Sequence, residues 1–489
     1  MPQLGFKLRN AVIALLGATG LIAPSVAVGS DFPTSCNDAA GAKFNDGLTL
    51  LHNMMYIQAE EAFNSAADSD PDCAMAHWGI AMANFHPLWP GTPTAAETRR
   101  GTAAAEKLVT MKAETSLEED FVFAAAVFYQ AQHVDYRSRL AAWADAQVAT
   151  ARGHPENIDA AALGALARIS VAPRGPGRIE VLAEIGDDLD ALHKKAPSHP
   201  GVIHYAIHAY DNPPLKERGK PYAEIYDKTA PSAPHALHMP AHIFTRTGDW
   251  ERSIDLNRRS AEAALAQSTD VVQAHYAHAI DYMVYGLLQL GDVDSARQLV
   301  EDMLAIENHQ ASFGGAYALA AAPVRLLLEA DDWAGAAAMP MELHAAIPWD
   351  KFPQTVAMVW FSKGLGAART GDVASARVAV AELNKLRDTM NERQQGYWAQ
   401  LTESQILSVE AWIEFSEGNT DLAIAHQTAA ADLEDKIGKS PVTPGHVLPA
   451  RELLGDLLMA VGRPEQAEES YQTTLTLSPN RARSLAAMN

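Results

Sequence analysis

The sequence predicts an all-α protein built as a solenoid of helical hairpins. Three observations support this prediction. Alanine is abundant, strand-like alternation is scarce, and glycine and proline lie between segments with the apolar periodicity of helices. With 489 residues, the chain is long enough for one extended helical array or for two to three compact domains.

The first 29 residues have the pattern of a secretory signal peptide. Lys7 and Arg9 precede an apolar run at 11–28, which glycine and proline interrupt, and small residues offer cleavage after Ala27 or Gly29. The run is short and broken for a membrane span. We therefore predict export to the periplasm or the extracellular space, with no membrane span in the mature chain.

The first helical hairpins follow from residue 42. Ala62, Phe63, Pro71 and the segment 74–81 carry the small and aromatic positions of a tetratricopeptide repeat (TPR), which this region resembles. Prolines between 86 and 93 end the unit. The next helices are predicted at 95–112, 116–133, 135–151, 156–170 and 178–195.

Later hairpins are marked by recurring turn motifs. These begin about 40 to 47 residues apart, farther than the 34 residues of a regular repeat, and lie at 247–250, 290–296, 330–333, 370–376, 417–423 and 461–467. The units are therefore expected to be elongated or irregular. We divide the chain into a TPR-like domain at 42–345 and C-terminal TPR-like repeats at 352–489, because AAIPWDKFP interrupts the helical pattern between them.

Charge and cysteine content limit the partners and the compartment. The formal net charge is −22 and neither end carries a basic tract, which argues against nucleic acid and anionic membrane surfaces. Cys36 and Cys73 are the two cysteines. In an oxidising compartment they could pair and attach the mature N-terminus to the first hairpin. The alternative is two inert thiols.

The candidate site is centred on residues 199–242, which hold six of the chain's 18 histidines. His204 and His208 are four residues apart, so that a helix presents both rings on one face. The spacing i, i+3, i+7 does the same for His235, His238 and His242. Two such helices can face each other and enclose a metal ion. The alternative is a set of buried structural histidines bonded to carbonyls and carboxylates.

Further residues could complete or support this site. Downstream, His278 shares a helix face with His275, and Asp281 and Tyr282 follow one turn later. Such a carboxylate could hold the second N–H of a metal-bound imidazole, and so could Asp211, three residues after His208. Solvated helix caps are the alternative for these aspartates. His77, beside Trp78, is a weaker candidate ligand, and a structural role is its alternative.

Pro240 adds a geometric condition. In a helix that begins at Pro234, it removes a hydrogen bond to Ala236 and should produce a kink that re-aims His238 and His242. If the helix instead restarts at Pro240, the i, i+7 geometry would be broken and the metal hypothesis weakened.

These motifs together resemble a group of bacterial, often exported, TPR proteins. The shared sequence motifs are HWGIAM, HPLW, HYxIHxYD, PHALHMPxHIFTRxG and HAxDY. In this chain they lie at 77–82, 86–89, 204–211, 234–248 and 278–282. The match covers roughly residues 42–345. The resemblance implies the repeat fold and a recurring histidine pattern, but no particular reaction.

Our first hypothesis is therefore a transition-metal site of His204, His208, His238 and His242, completed by His235, His278 or His77. Histidine-only coordination, aromatic surroundings and export favour copper over zinc or iron. Two ions with three imidazoles each would suit oxidative chemistry on a small molecule, and one ion with an open position would suit hydrolysis. An HExxH glutamate is missing, which favours a metal-dependent oxidoreductase slightly over a hydrolase.

Two alternatives remain open. The chain could be a scaffold whose groove binds a peptide or protein, with structural histidines. It could also carry metal in the periplasm without catalysis.

Overall fold

The computed structural model describes residues 30–88, 92–130, 133–173, 175 and 177–489. The predicted signal peptide and Trp89 of the HPLW motif lie outside these residues. Within them, the regular secondary structure is α-helical apart from one 3-10 turn at Trp349–Lys351. An isolated bridge joins Val272 and His309. The all-α prediction is confirmed.

Twenty-five helices follow one another along the described chain. They are α1 Asp38–His52, α2 Tyr56–Ser69, α3 Ala74–Ala83, α4 Ala95–Leu108, α5 Ser116–Gln130, α6 Tyr136–Gly153, α7 Ile158–Ser170, α8 Arg178–Lys195, α9 Pro200–Tyr210, α10 Lys216–Ala223, α11 Tyr226–Thr229, α12 Pro234–His238, α13 Pro240–Thr247, α14 Trp250–Ala266, α15 Ala274–Gln289, α16 Val293–Leu304, α17 Phe313–Glu329, α18 Trp333–Ala338, α19 Pro353–Arg369, α20 Val373–Glu392, α21 Gly396–Ser416, α22 Thr420–Ile437, α23 Ala450–Ala460, α24 Pro464–Leu477 and α25 Ala482–Ala487.

Consecutive helices pack as antiparallel hairpins, as in α1 with α2, α14 with α15 and α21 with α22. Alternate helices also contact one another, for example α15 with α17 and α19 with α21. This layering of each hairpin on the next is the TPR-like solenoid that the sequence predicts.

The recurring turn motifs end one helix and begin the next. Gly291 has a φ of 76°, a left-handed conformation that glycine adopts without strain, and Asp292 then accepts a hydrogen bond from the Ser295 backbone N–H. Gly371 and Asp372 repeat this arrangement. The motif therefore encodes the hairpin turn itself.

Aromatic and alanine side chains fill the core. In the N-terminal part, Phe44, Phe63, Trp78 and Phe121 pack edge-to-face or tilted with ring centroids 5.2 to 6.5 Å apart. The predicted boundary at 345–352 falls on the 3-10 turn, where Trp349 packs against the apolar clusters on both sides.

The connection between α22 and α23, residues 438–449, runs back across the middle of the chain. We call this segment the strap. The Pro441 carbonyl lies 3.3 Å from the Tyr282 hydroxyl of α15, and Arg325 of α17 donates to the carbonyls of Gly445 and His446. The strap therefore packs on the helices that carry the histidines or flank them.

Candidate metal centre

Helices α9, α12, α13 and α15 bring the histidines together. Helix α9 begins at Pro200, with His199 as its N-cap, and carries His204 and His208. Helix α12 ends at His238 and α13 begins at Pro240, which is the restart expected to weaken the metal hypothesis. Met239 at the junction nevertheless has helical φ and ψ of −56° and −38°. The backbone therefore stays helical through the junction, and the Nε2 atoms of His238 and His242 lie 2.9 Å apart.

One group, which we call the first trio, consists of His204, His208 and His235. The Nε2 atom of His204 lies 3.1 Å from Nε2 of His208 and 3.2 Å from Nε2 of His235. One nitrogen from each ring lies within 4.8 Å of the others. His235 of α12 thus supplies the third imidazole beside the His204 and His208 pair of α9.

A second trio consists of His238, His242 and His278. The Nε2 atoms of His238 and His242 are 2.9 Å apart, and the rings of His238 and His278 lie 4.4 Å apart between centroids. The Tyr282 hydroxyl is 3.4 Å from His242 Nε2. The two trios adjoin, because the rings of His235 and His238 are 6.3 Å apart.

Hydrogen bonds fix the tautomers of three of these histidines. His204 Nδ1 lies 2.6 Å from the His52 carbonyl, and His242 Nδ1 lies 2.9 Å from an Asp211 carboxylate oxygen. Neither acceptor carries a proton to give, so in each case the Nδ1–H donates. In the neutral form of each ring, Nε2 then carries no proton and presents a lone pair.

Asn257 sets the tautomer of His238 in the same way. Its amide nitrogen donates to the Ser253 carbonyl, which leaves its oxygen facing His238 Nδ1 at 2.6 Å. His238 therefore donates from Nδ1. When neutral, it directs the lone pair of Nε2 at the equivalent lone pair of His242.

The surroundings keep these rings neutral. Burial, reinforced by the neighbouring imidazoles, lowers the pKa of His208 and of His278 to about 3 and places that of His238 well below its usual value. Burial also lowers the pKa of His242, against the opposing effect of Asp211. Protonation of His238 or His242 is therefore unfavourable and does not readily relieve the contact between their Nε2 lone pairs.

The nitrogen spacing fits a shared cation. Two imidazole nitrogens that each lie about 2.0–2.1 Å from one ion are about 2.9–3.4 Å apart at the bond angles of four- to six-coordinate sites. The Nε2 pairs of both trios fall in this interval, at 2.9 to 3.2 Å. A cation between His238 and His242 would turn a repulsive contact into a bonding one.

A third group, His52, Asp159 and His199, is explained without a metal. Asp159 Oδ1 accepts from His52 Nε2 at 2.9 Å and from His199 Nε2 at 3.0 Å. The remaining ring nitrogens accept from the Tyr205 hydroxyl and the Val202 N–H. All four ring nitrogens are thus matched, and the group holds His52 where its carbonyl accepts from His204 Nδ1.

Most of the predicted site residues come together, with two corrections. His77 belongs to neither trio, because α3 holds it near the Pro71 carbonyl. Asp281 holds no imidazole, since its buried carboxylate accepts instead from Arg325 Nε at 2.8 Å. Asp211 does hold an imidazole, that of His242, as a supporting carboxylate would.

Several contributors escape sequence reasoning. His52 is isolated in the sequence, Asn257 has no distinguishing motif, and Lys439 follows the site by about 200 residues. Lys439 Nζ lies 3.7 Å from Asp211, and Arg246 Nε donates to Asp211 at 2.7 Å. Burial alone would raise the pKa of Asp211, but these two cations hold it well below its usual value.

The site is largely enclosed by protein. His204, His235, His238 and His242 are buried, whereas His208, His275 and His278 are half-buried and form its more accessible side. His275 lies 5.6 Å from His235 between ring centroids, so that α15 faces both trios. None of the described helices is both long and apolar enough for a membrane crossing.

Comparison with known proteins adds no closer identification. No protein-family model and no curated protein matches the chain. Among solved structures, it is similar to the anaphase-promoting-complex hetero-tetramer Cut9–Hcn1, with 15% identity, a TM-score of 0.39 and coverage of 86% of this chain and 76% of the other.

A Rap protein complexed with competence and sporulation factor gives 11% identity, a TM-score of 0.37 and coverage of 92% and 99%. Human IFIT1 with PPP-AAAA gives 12% identity, a TM-score of 0.40 and coverage of 93% and 95%. Similarity at this level concerns helical architecture alone.

Proposed function

We propose that this helical-repeat protein binds two transition-metal ions, one in each histidine trio. The observation that carries the proposal is the contact between His238 and His242. Their Nε2 atoms lie 2.9 Å apart while both Nδ1 protons are committed elsewhere. A buried contact between two lone pairs is unfavourable unless a cation lies between them.

The chemistry of the ligands favours copper over zinc or iron. All six candidate ligands are imidazoles, which suit copper, zinc, iron and nickel, and no carboxylate belongs to either described trio. Two adjacent copper ions, when bound, supply oxygen activation toward a small organic substrate, and we infer a metal-dependent oxidoreductase on this basis. We also propose that the chain is exported from the cytoplasm.

The chain's own residues would orient these ligands. Asp211, Asn257 and the His52 carbonyl hold three Nδ1 atoms, which fixes the rings and directs Nε2 inward. The Tyr282 hydroxyl is a polar group directed at the second trio from α15. Zinc-assisted hydrolysis remains the competing chemistry, and it would have to recruit a base from outside the two trios.

The scaffold alternative has the more direct support from the fold. A solenoid of stacked hairpins is an architecture used to bind peptides and proteins, and by itself it specifies no reaction. What a scaffold leaves unexplained is why six imidazoles should meet nitrogen to nitrogen in its interior. Packing between repeats needs small and aromatic residues.

Metal analysis of untagged protein distinguishes the metal-binding proposal from the scaffold alternative. After exposure to copper, zinc and iron and removal of free metal, we expect close to two equivalents of copper per chain. Metal content below about 0.1 equivalents for every ion would overturn the metal proposal and leave the scaffold. Turnover of oxidase substrates would then distinguish an enzyme from a metal carrier.

A further inference from the structure

The strap brings a lysine to the second trio. Lys439, at its start, lies 3.7 Å from Asp211, whose other carboxylate oxygen holds His242. Two residues later, the Pro441 carbonyl contacts Tyr282, which is also next to His242. Residues 439–441 therefore lie directly beside this trio.

The Lys439 ammonium is buried without a hydrogen-bond acceptor. Its side chain is 6% exposed, and no described atom accepts a hydrogen bond from Nζ. Asp211 lies at ion-pair distance and not at hydrogen-bond distance, and each of its oxygens already accepts one hydrogen bond, from His242 Nδ1 and from Arg246 Nε. Burying a charge in this way is costly unless another partner completes it.

The local charges leave a positive excess. Lys439 and Arg246 face a single carboxylate, that of Asp211. The nearby Asp281 is neutralised by Arg325, with which it forms a fully buried pair. With Lys439 protonated, the region therefore carries more positive than negative side-chain charge. Burial, reinforced by Arg246, lowers the pKa of Lys439 to about 7, so the charged form gains from a further anionic partner.

We propose that Lys439 anchors a small monoanionic ligand, a carboxylate, beside the trio of His238, His242 and His278. This assignment builds on the proposed metal site and specifies the substrate class it accepts. The ammonium supplies hydrogen-bond donors to the anion, and the anion supplies counter-charge beyond that of Asp211. The strap is then the element that determines substrate charge.

Cobalt-loaded protein provides the test, with acetate as the probe. Acetate binding is followed by the visible absorption of cobalt in the wild type, in K439M, in K439Q and in the control K436M. Lys436 is an exposed residue in the last turn of α22, three positions earlier. We expect both Lys439 variants to weaken acetate binding at least about tenfold, because a charged hydrogen-bond donor is lost. Cobalt stoichiometry should stay unchanged and K436M should behave as the wild type.

Acetate affinity in K439M and K439Q equal to that of the wild type would overturn the anion site while leaving the metal proposal intact. If no variant takes up cobalt, the metal proposal fails, and the anion site is judged on metal-free protein. There, acetate should raise the melting temperature of the wild type and K436M but not of K439M or K439Q. Equal stabilisation of all four proteins would refute the anion site.

Discussion

His238 and His242 lie with their Nε2 atoms 2.9 Å apart, and each directs its Nδ1 proton to a different acceptor on a different helix or turn. The Asn257 oxygen on α14 and the Asp211 carboxylate after α9 thus hold the two rings with their Nε2 atoms opposed across a helix restart, the ring planes at 81° to each other. The metal site can therefore be tested by substituting single ligands or the residues that hold them.

Removing one ligand from each trio should remove one metal ion at a time. His235→Ala eliminates the third imidazole of the first trio, and His278→Ala does so for the second. We expect each variant to retain close to one equivalent of copper and the double variant to retain almost none. Elemental analysis measures this, with His133→Ala as the control because His133 is exposed. Two equivalents retained in both single variants would contradict the assignment of ligands.

The hydrogen bond from His238 to Asn257 should tune metal affinity. Asn257→Ala removes the acceptor for Nδ1, so we expect metal affinity to fall about 10- to 100-fold, as with other supporting residues of metal ligands. Competition with a chelator of known affinity measures the change.

Asn384→Ala is the matched control for that experiment. Asn384 donates to the carbonyl four residues earlier at 2.8 Å, as Asn257 does at 2.7 Å, but within the described part of the chain it has no hydrogen bond to an imidazole. A loss of affinity that is equal in the two variants would mean that Asn257 acts only through its helix.

The disulfide between Cys36 and Cys73 should stabilise the N-terminal hairpins. The bond joins residues 37 positions apart and ties the segment before α1 to the start of α3. Loop-closure entropy for a ring of this size is about 4 kcal/mol, the upper limit expected for the loss in a Cys36→Ser, Cys73→Ser variant.

Denaturant unfolding of this variant, and of the wild type with and without reductant, measures the effect. The reductant should destabilise the wild type alone. Two free thiols in the unreduced, denatured wild type would instead support the inert-thiol alternative.

A buried carboxyl group should make stability depend on pH. Burial raises the pKa of Glu434 to about 8 from 4.5, while its Oε1 accepts from the Ala450 N–H at 2.7 Å. The folded chain therefore holds this proton where the unfolded chain releases it. The contribution to stability is complete below pH 4.5 and is lost as the pH rises toward 8, by up to about 1.4 kcal/mol per pH unit.

Glu434→Gln keeps an acceptor for Ala450 but cannot ionise. Metal-free wild type should therefore lose more unfolding free energy across this pH interval than the Gln variant does. Parallel curves for the two proteins would show that the carboxyl group is ionised in the folded state.

The sequence predicts the fold and the shared helix faces well, because helical periodicity, prolines and turn motifs are local signals. The five helices predicted between 95 and 195 all occur, with ends that differ by up to four residues. The rings of His235 and His238 do lie near each other, as do those of His238 and His242, but the division of these residues between two trios is not visible in the spacing. That division depends on how α12 and α13 approach α9 and α15.

The remaining site residues depend on tertiary packing. Asp281 follows His278 by the spacing expected of a supporting carboxylate, yet it pairs with Arg325 on the adjacent helix α17. Lys439 reaches the site only because the strap crosses the solenoid, a path that no local pattern encodes. Asn257 likewise becomes recognisable only when α14 is packed against α12.

Arg325 should be the residue on which the strap's position most depends. It is fully buried and donates to Asp281, to Thr443 and to the carbonyls of Gly445 and His446. Arg325→Met leaves the Asp281 carboxylate buried and unpaired, so we expect a loss of about 3–5 kcal/mol in unfolding free energy. The double variant Asp281→Leu, Arg325→Met removes that stranded charge and should recover part of the loss.

Arg387→Met is the control, because Arg387 pairs with Asp388 and Glu403 at the surface and should cost no more than about 1 kcal/mol. Since the strap also carries Lys439, the double variant should bind acetate more weakly than the wild type even where its stability recovers, while both trios keep their metal. Chemical denaturation and the cobalt titration on the same protein samples measure the two effects. An Arg325→Met protein as stable as Arg387→Met would show that the buried pair does not hold the strap in place.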